Sequence, residues 1–95
     1  MAVHVMVKHK VEDYDKWKPL YDEHGAVRKK HGSTGATVYK VQGNPNELVV
    51  MTEWPDMKSA QSFAQDPGLP EVMKRGGVMG QPEIYFLEQV DWQSA

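Results

Sequence analysis

Glu47 to Trp54, ELVVMTEW, is the stretch on which the fold turns. A strand wetted on one side alternates apolar and polar residues, because successive side chains point to opposite faces. Here Leu48, Val49, Val50 and Met51 are apolar without a break. Ile84 to Leu87, IYFL, repeats the pattern, and Met6 interrupts the valine alternation of the first strand in the same sense. Each side of such a sheet is expected to be dry.

Upstream of this stretch, Gly43-Asn44-Pro45-Asn46 has turn composition and implies a hairpin from a preceding strand, STGATVYKVQ. Downstream, Pro55 stops the strand and Asp56 is placed to cap a helix carrying Met57, Ala60, Phe63 and Ala64 at helical spacing. DPGLP interrupts that helix, Pro70 fits the first turn of a short further one, and Gly76-Gly77 ends it. PEIYFLEQV is the last strand and DWQSA a tail. At the other end, Val3, Val5, Val7 and Val11 mark a strand over Ala2 to Val11. Asp13 then caps a helix from Tyr14 to His31, with Pro19 expected to kink or restart it near Lys18 and Gly32 to close it in a left-handed conformation.

The order is βαββαβ. This is an α+β, ferredoxin-like unit: four antiparallel strands with two helices on one face. With 95 residues the chain is expected to be one domain over 1–95, with its core in 2–90 and a tail in 91–95. A chain of this size buries only about 60 to 65 % of its unfolded surface, which favours further burial by self-association. Since both helices are spent on one face, the economical cover for the other is a second copy of the same sheet.

A net charge of −2 gives no electrostatic case for nucleic acid, and no apolar run approaches the roughly 18 residues of a membrane span. An RNA-binding use of the same topology is disfavoured further, because the third strand lacks an aromatic-basic signature. The absence of cysteine removes disulfides, thiolate metal sites and cysteine nucleophiles together. MAVHVMVKHK has neither the apolar core nor the cleavage site of a signal peptide, so the default compartment is cytoplasmic.

DYDKW, ELVVMTEWPD and PEIYFLEQV together resemble the dimeric α/β-barrel superfamily, and within it the antibiotic biosynthesis monooxygenase group of small proteins. The resemblance implies a homodimer whose two sheets form a barrel, with a pocket in each subunit between sheet and helices. It also implies cofactor-independent oxygenase or cyclase-like chemistry, so no cofactor is expected. The haem-degrading branch uses an asparagine on the first strand, a tryptophan on the third and a histidine on the second helix. Trp54 matches the second of these, but AVHVMVKHK has no asparagine and DMKSAQSFAQ no histidine, so haem degradation is not carried over.

The first helix holds the residues with chemistry. At about 100° per residue, Tyr14, Trp17, Leu20, Tyr21, His24, Val27, Arg28 and His31 share one sector, opposite Asp15, Lys16, Lys18, Asp22, Glu23, Lys29 and Lys30. Two histidines and an arginine thus lie on the face that should be apolar. In one reading His24 and Arg28 are satisfied core groups that pin the helix and His31 complements its C-terminal dipole. In the other they line a pocket: His24 as acid/base, Arg28 as anion clamp, and Trp17, Trp54, Tyr85 and His31 as further ligand-binding wall. That lining suits a small aromatic or apolar organic acid. A cavity of a few hundred Å³ beside His24 would favour the second reading and a filled interface the first. No metal site is expected, since His24 and His31 stand seven residues apart, whereas helical ligand pairs use three or four.

Overall fold

The computed structural model describes residues 2–95. The elements are β1 (Val3–Val11), α1 (Tyr14–Glu23), α2 (Gly25–Lys30), β2 (Gly35–Val41), β3 (Asn44–Trp54), α3 (Met57–Ala64), α4 (Leu69–Arg75) and β4 (Val78–Glu88). The strands form one antiparallel sheet in the order β2-β3-β1-β4. This is the ferredoxin-like arrangement read from the element order.

The sheet is open, with β2 and β4 as its free edges, and it does not close into a barrel. The barrel expected from the sequence is therefore corrected. An unbroken apolar run implies two dry faces, yet burial along β3 from Glu47 to Trp54 alternates strictly. Leu48, Val50, Thr52 and Trp54 are buried beneath the helices, whereas Glu47, Val49, Met51 and Glu53 are only half-buried on the other side. Apolar side chains occupy both faces, but this chain covers one.

The registers place Val3, Val5, Val7, His9 and Val11 on the helix side and His4, Met6, Lys8 and Lys10 on the open side. Two clusters make the core: Val3, Val5, Trp54, Ala60 and Phe63 under α3, and Val11, Trp17, Leu48 and Val50 under α1. Val7 packs against both and marks their seam.

Three local features differ from the sequence reading. The first helix is two helices, broken not at Pro19 but at His24, which closes α1 and opens α2. Pro19 is exposed, so the carbonyl it leaves unpaired can be hydrated there. The hairpin between β2 and β3 is tighter than expected, joined at Gln42-Gly43 with Gly43 at φ +88°, and Pro45 lies within β3 in the irregularity between the Val41–Asn44 and Lys40–Leu48 pairs. β4 begins at Val78 rather than Pro82, and its pairing with β1 slips between Lys8 and Lys10, where Pro82 brings no amide to the ladder.

The caps follow the sequence. Asp13 Oδ1 accepts from the Asp15 amide at 2.9 Å and Asp56 Oδ1 from the Ser59 amide at 2.7 Å. Gly32, at φ +100°, ends α2: its amide donates to the Lys29 carbonyl and the Ser33 amide to the Arg28 carbonyl, the paired bonds of a Schellman motif.

Candidate functional site

A cavity of about 70 Å³, partly open to solvent, lies at the seam of the two core clusters between sheet and helices. β1 contributes His9 to its lining, β3 contributes Val50 and Thr52, and α4 closes one side with Leu69, Val72 and Met73. α1 supplies Trp17 and Tyr21, and the joint and body of the α1–α2 pair supply His24 and Arg28.

The polar groups of this cavity are buried with few partners. Arg28 is 9 % exposed and has no carboxylate within ion-pair distance among the described residues. Its guanidinium carbon sits 3.9 Å from the centre of the Tyr21 ring, which in turn stacks on Trp17 at 4.8 Å. The cation is held by an aromatic face instead of an anion, an attraction worth about 0.5 to 2 kcal/mol. Gly25 leaves room for it, since a Cβ there would stand 3.3 Å from Arg28 Nη2.

His24 is 8 % exposed and its ring lies 5.8 Å from that of Phe63. Burial, then the neighbouring Arg28 charge, lower its pKa, so at neutral pH it is an uncharged imidazole. His9 is buried too, its ring edge-on to Trp17 at 5.7 Å, and desolvation lowers its pKa as well. Its Nδ1 is the one sealed side-chain nitrogen or oxygen without a hydrogen-bond partner among the described residues.

Of the residues singled out in the sequence, Trp17, His24 and Arg28 come together at this cavity. Trp54 does not line it. It is fully buried behind Phe63, with 4.9 Å between ring centres, and its indole Nε1 donates to Thr52 Oγ1 at 2.7 Å. His31 is turned away as well, its Nε2 at 2.9 Å from Asp66 Oδ2, tying the end of α2 to the α3–α4 connection. This bond holds the Asp66 carboxyl below its ordinary pKa. Tyr85 pairs with Met6 on the open face, so its placement in the pocket wall is corrected: an even residue of β1 faces away from the helices, and so does its partner. Glu53 lies on that side too, accepting from Thr34 Oγ1 at 2.8 Å and lying 3.5 Å from His4 Nε2.

Sequence reasoning passed over His9, Tyr21, Thr52 and the α4 wall as site residues. A signal for His9 was present: it shares the parity of the buried valines of β1, and a lone imidazole in an otherwise apolar row needs a partner.

No protein-family model matches the chain, and no curated protein does. Solved structures match it along its length. SnoaB, a cofactor-independent oxygenase from Streptomyces nogalater, solved as a point variant, superposes with a TM-score of 0.79 at 13 % identity over 99 % of this chain and 98 % of its own. An antibiotic biosynthesis monooxygenase superposes at 0.72 with 15 % identity over 94 % of this chain and 99 % of its own. A conserved protein from Methanosarcina mazei Go1 reaches 0.74 with 21 % identity over 94 % and 93 %. At these identities the likeness is one of fold.

Proposed function

We propose that this chain binds a small aromatic or otherwise apolar organic acid in the cavity between its sheet and helices. The observation that carries the reading is Arg28, a buried cation beside a void with no carboxylate at ion-pair distance among the described residues. Charged side chains are rarely buried unpaired, and an entering carboxylate would complete the pair. Trp17 and Tyr21 offer the ring of such an acid a flat wall.

Uncharged His24 is the acid/base candidate. A neutral imidazole can take the proton of a phenol or enol and leave an anion electron-rich enough for dioxygen to oxidise. Cofactor-independent oxygenase or cyclase-like chemistry is consistent with the fold shared with SnoaB. The natural assembly in this reading is a homodimer joined through the open sheet face, where Tyr39, Met6, Met51, Tyr85 and Leu87 form an apolar band. The ion pairs His4–Glu53 and Lys8–Glu47, each at 3.5 Å, lie beside it.

The size of the void favours a second reading. Seventy cubic ångströms is well below the roughly 300 to 1,000 Å³ of most small-molecule pockets. A non-catalytic binding or assembly module, whose polar residues pin the helices, would need no more.

Single-ring aromatic acids titrated into labelled protein separate the two. In the first reading, amide and indole shifts move at Trp17, His24 and Arg28, Arg28→Ala weakens binding at least tenfold, and phenolic acids that bind are consumed with oxygen uptake that His24→Ala abolishes. Binding without uptake supports the module; no shift at the cavity removes the ligand-binding reading altogether.

A further inference from the structure

The mouth of the cavity and its floor differ in a way that dictates which way round an occupant sits. The Arg28 side chain has no hydrogen-bonded partner among the described residues, yet none of its nitrogens is among the sealed, unpartnered atoms, so its guanidinium keeps a route to water. His9 Nδ1 is sealed and unpartnered. Between them stand Trp17, in contact with His9, and Tyr21, in contact with Arg28, stacked on each other. A flat aromatic wall therefore runs from a cation with access to water to an imidazole nitrogen that is closed off until an occupant opens the cavity onto it.

We propose that His9 is a ligand-recognising residue that hydrogen-bonds a hydroxyl at the inner end of the occupant, while Arg28 holds its carboxylate at the mouth. The ligand class is then a hydroxyaryl or enol carboxylate of about one ring, with its two oxygen functions at opposite ends. This rests on the reading of the cavity as a ligand site and adds the group that sets orientation and selectivity. Three facts support it. A buried imidazole nitrogen left without a partner is costly, and a ligand hydroxyl recovers that cost. The lowered pKa keeps the ring neutral, so one of its nitrogens has a lone pair to accept with. The wall opposite the sheet can yield to a ring larger than the present void: α4 has no buried residue and presents the pliable Met73 to the cavity, although its N-cap is tethered through the bond from the Gly68 amide to Asp66 Oδ1 at 2.8 Å.

The test compares 4-hydroxybenzoate with benzoate by calorimetry on the full chain, in the wild type and in His9→Phe and His9→Gln. The wild type is expected to prefer the hydroxylated acid by roughly five- to tenfold, the size of one net hydrogen bond. His9→Phe should bring the ratio of affinities to one and His9→Gln should restore part of it. If His9→Phe does not fold, the wild type decides: the His9 Nδ1 resonance must move with 4-hydroxybenzoate and stay with benzoate. A preference that survives His9→Phe, an unmoved Nδ1, or equal affinities in the wild type would each overturn the role of His9, the last pointing to a trapped water as its partner. Those outcomes leave the cavity a carboxylate site. Failure of both acids to bind overturns that reading and this one together.

Discussion

The two faces of the sheet invert the usual distribution of polarity. The face of β3 under the helices is buried and yet shares its layer with His9, His24, Arg28 and Thr52. The face without helices bears Met6, Met51, Tyr85 and Leu87. Buried polar groups and uncovered apolar ones are the two arrangements that ask for an explanation in a small protein, and here they lie back to back across one sheet. The first points inward, to a molecule small enough for a seam in the core. The second points outward, to something as broad as the sheet.

If the helix face is the one that holds the fold together, Trp54→Ala should have the largest effect of any single change considered. Trp54 is 1 % exposed, packs on Phe63 and donates to Thr52 Oγ1. Its removal leaves a large hole and costs Thr52 its indole donor. A loss of about 3 to 5 kcal/mol is expected in urea denaturation, as for other buried aromatic truncations. A loss below about 1 kcal/mol would mean that the two faces do not differ as described.

Gly76→Ala probes the seam more gently. A Cβ at this position would stand 3.1 Å from Trp17 Cδ1 and 3.3 Å from the Val72 carbonyl. The Trp17 indole must give way, and the expected cost is about 1 to 3 kcal/mol, the range for overpacking. Since Trp17 is also the cavity wall, ligand affinity should change alongside the melting temperature. A shift in stability with no change in binding would detach Trp17 from the site.

Much of this contrast was legible in the sequence, and the residues show where legibility stopped. The helical wheel placed Trp17, His24 and Arg28 on the inner face, and all three are buried there, because segregation of charge around a helix survives even a break in it. The caps at Asp13, Gly32 and Asp56 were readable because each depends on a local bond or a local φ. Tyr85 was misplaced because the face of a strand residue depends on its register with a distant strand, here the pairing with Met6. His9 was passed over for a related reason. Its parity was plain, but the lack of a partner for Nδ1 emerges only once Trp17 and α4 have closed around it. The barrel went beyond the chain because an apolar run records what a face would gain by burial, not whether this molecule provides it.

Acid distinguishes the polar face by titration. In the folded chain His9 and His24 have pKa values below their usual 6.5, both through desolvation first. Above about pH 6.5 folded and unfolded chains are alike neutral at these positions, and nothing is lost. As pH falls through that value the unfolded chain takes up protons that the folded one refuses, so stability declines until the lower folded pKa values are passed. Asp66 adds a separate loss in stronger acid, below the ordinary 3.8 of an aspartate, where its bond to His31 is protonated away. Thermal melts between pH 7.5 and 5 should show the first decline in the wild type and a smaller one in His9→Gln. Identical slopes would show that His9 is not sealed in the folded state.

Met51→Lys should disturb the single chain least and so sharpens the contrast most. Met51 lies on β3 three residues before Trp54, half-buried on the open face between Thr37 and Met6. A lysine there can run its methylenes across the sheet and keep its ammonium in water, so the cost to the folded monomer should stay within about 1 kcal/mol in urea denaturation. Two copies pairing through this face would instead bury that lysine against an apolar surface. Self-association measured by sedimentation should then be lost while the melting curve of the dilute protein barely moves. A dimer that persists with Met51→Lys would place its interface elsewhere, and the free edges β2 and β4 would be the next surfaces to test.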